Sequence, residues 1–165
     1  MPTPPPIRLS VVIMAFNEEA ALPAQLAATL DFVRAHTADF EVLVVDDGSS
    51  DGTADVVRRA MAEEPRVRLL QHDRNFGMGR AIRTGYAAAT LDYVTQLPAD
   101  GQVAPTMLLP FLERLARVDL VLSVYDKRGD GPKRAVLTAG YRLLGRLLLG
   151  HRADFTGTMV FRRSL

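Results

Sequence analysis

The 165-residue chain has no cysteine. That excludes disulfide cross-links and thiolate chemistry, and it leaves the redox compartment unreadable from the count. No uninterrupted apolar run is long enough to cross a bilayer; the best stretch, 143–149, is broken by Arg146. No apolar segment of the signal-peptide kind precedes the first predicted strand, and residues 1–8 read as a stiff proline-rich lead. Histidine is sparse: His36, His72 and His151 are scattered, each reads as a surface or loop residue, and no Ser-His-Asp, Cys-His or histidine-cluster spacing exists. The aromatics do not interleave with the basic residues, so nucleic acid is not expected as a partner. Internal repeats are absent too.

What is present is an alternation. Four short apolar runs each end in a polar cluster: 9–14 before Ala15-Phe16-Asn17-Glu18, 42–45 before Asp46-Asp47-Gly48-Ser49, 67–70 before His72-Asp73-Arg74-Asn75, and 93–97 before Ala99-Asp100-Gly101-Gln102. Stretches with helical features separate them. This is the pattern of an α/β chain with a mostly parallel central sheet and helices on both faces. Strands are expected over 7–14, 40–45, 67–71, 92–97, 120–125 and 155–163. Helices are expected over 18–35, with Asn17 as its cap, then 53–64, 80–90, 105–116 and 135–149. In open sheets of this kind ligands bind beyond the carboxyl ends of the strands, where all four clusters fall.

The net charge of +1 conceals an asymmetry. Residues 1–125 hold 11 Lys and Arg against 16 Asp and Glu, whereas 126–165 hold 9 against 3. An acidic core over 9–125 suits a metal or polyol site, and a basic segment over 126–165 suits phosphate or an anionic membrane surface. A merely solvated basic face is the alternative. Within that segment the helix over 135–149 carries a wide leucine face, which fits either a core helix or one lying on a membrane, with Arg142 and Arg146 on one side.

Asp46 and Asp47 end a strand that reads as buried, where unpaired carboxylates are costly. They can accept hydrogen bonds from a base or a ribose, while Gly48 to Asp51 suit turns and caps. The loop Asn75-Phe76-Gly77-Met78-Gly79 enters a helix and can cradle a phosphate, with Arg74, Arg80 and Arg83 as anion contacts. It is neither G-x-G-x-x-G, since Ile82 holds the third glycine position, nor a Walker A loop. Asp100 and Gln102, two apart, place hard oxygen ligands on one side if the segment is extended, which suits Mg²⁺ or Mn²⁺. An ordinary Asp-Gly turn explains the same residues.

In order, these clusters resemble family-2 glycosyltransferases, especially the polyprenyl-phosphate sugar transferases of the dolichyl-phosphate mannose synthase kind. The pieces are Val11 to Glu19, Val44 to Thr53, Asn75 to Tyr86, Ala99 to Gln102, and Asp154-Phe155-Thr156-Gly157 with Phe161-Arg162-Arg163. The resemblance implies a GT-A fold and metal-assisted, inverting transfer from a UDP- or GDP-sugar to a polyprenyl phosphate, peripheral to the inner, cytoplasmic face of a membrane. It implies a nucleoside pocket at Ala15, Asn17 and Glu18, with Asp46 and Asp47 at the base or ribose and Arg80 on the donor. It further implies Mg²⁺ or Mn²⁺ held by Asp100 and Gln102, catalytic roles for Asp100 and Asp154, and an acceptor phosphate met by Arg128, Lys133, Arg134, Arg142 and Arg146. The segment 126–165 would be shorter than in relatives. Four positions depart from the family pattern: Met14 replaces a proline, Met78 a lysine, Tyr125 a phosphate-binding arginine, and Pro98 the first acid of Asp-X-Asp. The last departure keeps open a second reading, a weak or inactive module that binds nucleotide-sugar or lipid phosphate.

Overall fold

The computed structural model describes residues 6–123 and 157–165. Contacts divide the chain into a large unit, Met1–Val121 with Met159–Leu165, and a smaller one, Leu122–Thr158. In the smaller unit the Ser123 amide and hydroxyl both donate to the Thr158 carbonyl, at 3.0 and 3.1 Å. The predicted helix over 135–149 lies outside the described residues.

The large unit alternates as the sequence reading expects. β1 (Arg8–Ala15), α1 (Leu22–His36), β2 (Asp39–Asp46), α2 (Thr53–Glu63), β3 (Val67–Gln71), α3 (Met78–Ala88) and β4 (Tyr93–Pro98) follow in turn. A 3-10 turn at Pro105–Leu108 then runs into one helical turn, α4 (Leu109–Leu112), before β5 (Leu120–Leu122) and β6 (Met159–Arg162). The sheet order is β3-β2-β1-β4-β6-β5. β1 pairs in parallel with β2 and β4, and β2 with β3, while β6 is antiparallel to β4. The chain therefore walks outward from β1 to β3 and returns to β1's other edge with β4, leaving a topological switch point between β1 and β4.

Both sheet faces are covered, which explains why the central strands are continuous apolar runs rather than alternating ones. Leu9, Val11 and Ile13 pack with Leu22, Leu26 and Val33 of α1 and Val56 and Val57 of α2. On the opposite face Val12, Leu43, Val45 and Val94 meet Ala81 of α3. Gly85 permits that close approach, since a Cβ there would lie 2.2 Å from Val12 Cγ1.

Several boundaries differ from expectation for local reasons. α1 starts at Leu22 instead of residue 18, because Asn17 is left-handed (φ 56°) and Glu18 opens a turn closed by the Ala21 and Leu22 amides. Asn17 is therefore not a helix cap. The long helix expected over 105–116 is two short pieces, as Pro110 lacks the amide an uninterrupted helix needs. The predicted strand over 155–163 is described as Met159–Arg162.

At the ends of the sheet remote from the strand-end clusters, buried acids are satisfied. Glu41 on β2 accepts from Ser10, Thr90 and Arg68. Glu64 accepts from Arg66 at 2.8 Å and Arg34 at 2.9 Å. Arg66 foremost, then Arg34, draws the Glu64 carboxyl from 4.5 down to about 2. The folded value lies below the unfolded one, so the stabilisation is whole above pH 4.5 and lost as pH falls towards 2. Both arginines are half exposed, which limits the contribution to about 1 kcal/mol. Glu64→Gln is thus expected to lower thermal stability at pH 7, with the gap to wild type narrowing as pH falls from 4.5 through about 2. A gap independent of pH would contradict this.

Candidate functional site

The strand ends lie level across the sheet. Ala15 is in register with Asp46, Met14 with Pro98, and Asp46 with Gln71. The ladder continues one step past the strands, with the Asp47 amide donating to Ala15, Ala99 to Met14 and His72 to Asp46. All four polar clusters consequently meet on one edge.

The first two loops are tied together by six hydrogen bonds. The Asn17 amide donates to Ser49 Oγ (2.9 Å), Glu18 to Thr53 Oγ1 (2.8 Å) and Glu19 to Asp51 Oδ2 (3.2 Å). In return Asn17 Oδ1 accepts from the Ser50 amide and hydroxyl, and Glu19 Oε2 from the Gly52 amide. Asp51 also accepts from the Thr53 hydroxyl and amide, which lowers its pKa from the ordinary 3.8, the hydroxyl contributing most.

Between these loops and the ends of β1 and β4 lies an open cavity of about 260 Å³. β1 and its loop supply Met14, Ala15, Phe16 and Glu18, and β4 and its loop supply Pro98, Ala99 and Asp100. Asp47 stands in the wall beside Asn75, Gly77, Met78 and Ala81. The cavity therefore occupies the switch point. Its lining is mostly apolar with a few carboxylates, the usual composition of a small-molecule site. Phe16 and Met78, both in its lining, are 44% and 66% exposed, apolar surface that the other described residues leave open.

Adjacent acids have separate fates. Asp46 is fully buried and does not line the cavity: Oδ1 accepts from the Ser49 amide (2.9 Å) and Oδ2 from Gln71 Nε2 (3.1 Å). Asp47 is 4% exposed and accepts from His72 Nδ1 (2.6 Å), the Phe76 amide (3.0 Å) and the Gly77 amide (2.7 Å). Burial pushes its pKa up, but these donors outweigh burial and hold it below 3.8. A carboxylate in that position is ionised at neutral pH.

Of the residues singled out from sequence, the cavity gathers Ala15, Glu18, Asp47 and Asp100. Asn17 is engaged in joining loops, and Asp46 in shaping the turn after β2. Arg80 is exposed, with its guanidinium 5.9 Å from the Phe76 ring centre, and is not among the lining residues. Gln102 is exposed and also outside the lining. The extended Asp100–Gln102 geometry expected from spacing gives way to a turn: Gly101 has φ 75° and the Gln102 amide donates to Asp100 Oδ1 at 2.9 Å. Asp154, Arg128, Lys133, Arg134, Arg142 and Arg146 lie outside the described residues.

Sequence reasoning gave Phe16 and His72 no role in the site, and had Met78 only within the phosphate-cradling loop. His72 reads as a loop residue, yet its side chain is 11% exposed and bridges Asp47 to Thr84 of α3. Leu70, two positions earlier, faces α3, so strand parity offers a signal for it.

For a divalent cation, Asp100 is the acid at the cavity rim, with Oδ1 oriented by its own turn. Among the described residues no three acids or histidines cluster to form a protein-only cage. The donor set fits Mg²⁺ or Mn²⁺ shared between one carboxylate and the phosphates of a ligand, a common arrangement for Mg²⁺. Among the described residues, no helix is long and apolar enough to cross a membrane.

Comparison with known proteins agrees with this geometry. The model of glycosyl transferase family 2 matches residues 10–165. An undecaprenyl-phosphate 4-deoxy-4-formamido-L-arabinose transferase of Pseudomonas paraeruginosa is 37% identical over 150 residues, 86% of this chain and 44% of that protein. The chain spans about half the length, or less, of the curated relatives it matches. Glucosyl-3-phosphoglycerate synthase of Mycobacterium tuberculosis, solved with Mn²⁺, UDP and glucosyl-3-phosphoglycerate, shares the fold at TM-score 0.69 and 22% identity, covering 96% of this chain and 57% of that one. The mannosyltransferase PcManGT of Pyrobaculum calidifontis, solved with GDP-Man and Mn²⁺, matches at TM-score 0.65 and 24% identity, covering 99% and 47%. With a mostly parallel sheet covered on both faces and a cavity at its switch point, the chain has a GT-A-type α/β fold and belongs to glycosyl transferase family 2.

Proposed function

We propose that this chain carries the donor-binding part of a metal-assisted, inverting transferase that moves a sugar from a UDP- or GDP-sugar to a polyprenyl phosphate. The observation that carries the reading is the cavity at the β1–β4 switch point, which an exposed aromatic, Phe16, and the acid Asp100 both line. Phe16 offers an exposed ring for the base, and Ala15 and Glu18 border the nucleoside. Asp46 contributes at one remove, by fixing the turn after β2. Asp100 holds the cation, with Gln102 two positions on in the same turn, and Arg80, exposed near the start of α3, is assigned to the donor as an anion contact.

When bound, Mg²⁺ or Mn²⁺ acts as a Lewis acid that neutralises charge on the leaving nucleoside diphosphate. The acceptor phosphate, with a second pKa of about 6, is largely ionised at neutral pH and needs no strong base. Arg128, Lys133, Arg134, Arg142 and Arg146 are assigned to that phosphate and Asp154 to the acceptor side, at the inner, cytoplasmic face of the membrane. The curated relative named for an undecaprenyl-phosphate substrate supports the acceptor class.

Titration of UDP and GDP with and without Mn²⁺, followed by a donor screen with a short polyprenyl phosphate read by mass spectrometry, tests the reading. Phe16→Ala is expected to weaken nucleotide binding about tenfold whether or not Mn²⁺ is present, as loss of a stacked base costs roughly 1–3 kcal/mol. Unchanged affinity would remove Phe16 from the site. Pro98, which replaces one metal carboxylate, favours the alternative of a binding module, for which nucleotide would bind independently of metal and without turnover.

A further inference from the structure

His72 is a nearly buried titratable group for which the proposed transfer has no use. It follows β3 and touches three elements of the site at once. Nδ1 lies 2.6 Å from Asp47 Oδ1 and Nε2 lies 2.9 Å from Thr84 Oγ1, while the ring stands edge-on to Phe76 with centres 5.4 Å apart. Asp47 in turn receives the consecutive amides of Phe76 and Gly77. Gly77 has φ 85°, and Gly77 and Met78 form part of the cavity wall.

The ionised carboxylate only accepts, so Nδ1 must carry the hydrogen of the shared bond. Nε2 then meets the Thr84 hydroxyl, and the imidazole becomes a strut between the end of β2 and α3. Without it, Asp47 keeps two donors from a single peptide turn and loses the one that fixes its orientation. The wall that depends on Asp47 is then free to shift.

We propose that His72 is a positioning residue for the donor site: through Asp47 it holds the Phe76 and Gly77 amides and with them the Gly77–Met78 part of the cavity wall, and nucleotide affinity depends on that hold. The inference rests on the donor-site reading given above and adds to it a determinant that does not touch the ligand. Two isosteric halves of the imidazole separate its two contacts. Asn at position 72 places an amide nitrogen near Nδ1 and keeps the donation to Asp47. Gln places one near Nε2 and keeps only Thr84.

The test measures UDP and GDP binding with Mn²⁺, and KM against kcat where transfer is seen, for wild type, His72→Asn and His72→Gln. Melting temperatures are recorded alongside, together with the Gly77 amide proton resonance, which the 2.7 Å bond to a carboxylate should displace downfield. His72→Gln is expected to raise the nucleotide Kd and donor KM about tenfold with kcat little changed, and to move the Gly77 resonance upfield. His72→Asn is expected to stay within about threefold of wild type on the same scale. Equal behaviour of the two variants, or a loss confined to kcat, would overturn the proposal. If wild type binds neither nucleotide, the donor-site reading fails on its own, and the Gly77 resonance still decides whether His72 holds the wall.

Discussion

Asp100→Ala should reduce metal-dependent sugar transfer by about a thousandfold, because cation stabilisation of a departing diphosphate is worth several kcal/mol and each ~1.4 kcal/mol is a factor of ten. Asp100 stands at the rim of the switch-point cavity, and its neighbour two positions before, Pro98, has no oxygen to offer from its side chain. A family member with two acids in this segment can lose one and keep a partial site; this chain has no such reserve. The side chain is exposed, and among the described residues its one hydrogen bond is that accepted from the Gln102 amide, so the fold should survive the change. Nucleotide binding in Mn²⁺ should fall to the level seen with EDTA, while binding without metal should not change. Retention of Mn²⁺-enhanced binding in the variant would take the cation away from Asp100.

Gly48→Ala should damage both fold and site. Gly48 follows Asp46 at the end of β2 and Asp47 just past it, with φ 73°, a region that costs other residues about 1–3 kcal/mol. The surroundings add a second penalty. A Cβ there would lie 2.3 Å from the Arg74 carbonyl carbon, 2.5 Å from its Cα and 2.7 Å from the Asn75 nitrogen. These are backbone atoms and cannot rotate aside, so the loop after β3 must move away from the loop after β2. We expect a loss of about 3 kcal/mol or more, which for a chain of this size lowers the melting temperature by roughly 10 °C. Nucleotide affinity should fall with it, since the Phe76 and Gly77 amides would be drawn off Asp47. A variant that melts within about 2 °C of wild type and binds normally would show that the loops do not meet as described.

The strands and their polar endings were legible because each follows from a local rule. Continuous runs such as 11–14 and 42–45 mean strands covered on both faces, and acids and glycines at their ends mark where the chain turns. The order of the clusters added the family. Roles within a cluster were harder to read, because they depend on which side of the sheet each residue takes. Asp46 and Asp47 look alike in sequence. In the sheet, Val42 and Val44 face α1 and α2, whereas Leu43 and Val45 face α3, so successive acids diverge. Asp47 continues the α3-facing series and reaches the cavity wall; Asp46 is enclosed between Ser49 and Gln71.

Asn17 shows another limit. Its sequence context is that of a helix cap, but a partner 33 residues away, Ser50, takes its side chain, and α1 starts later as a result. The Asp100–Gln102 pair could be read as an extended ligand pair or as a turn, and Gly101 decides for the turn through its backbone angle. Phe16 stands in a strand-end cluster with nothing in its sequence context to assign it a role; its place in the cavity lining gives it one.

The central claim is that the four strand-end loops form one nucleotide site with a cation at Asp100. A crystal structure of the chain soaked with UDP or GDP and Mn²⁺ tests it most directly. The account predicts the base against Phe16, the diphosphate across the β1–β4 switch point, and the ion bridging the phosphates to the Asp100 carboxylate. An ion bound away from Asp100, or a nucleotide bound outside this cavity, would contradict it.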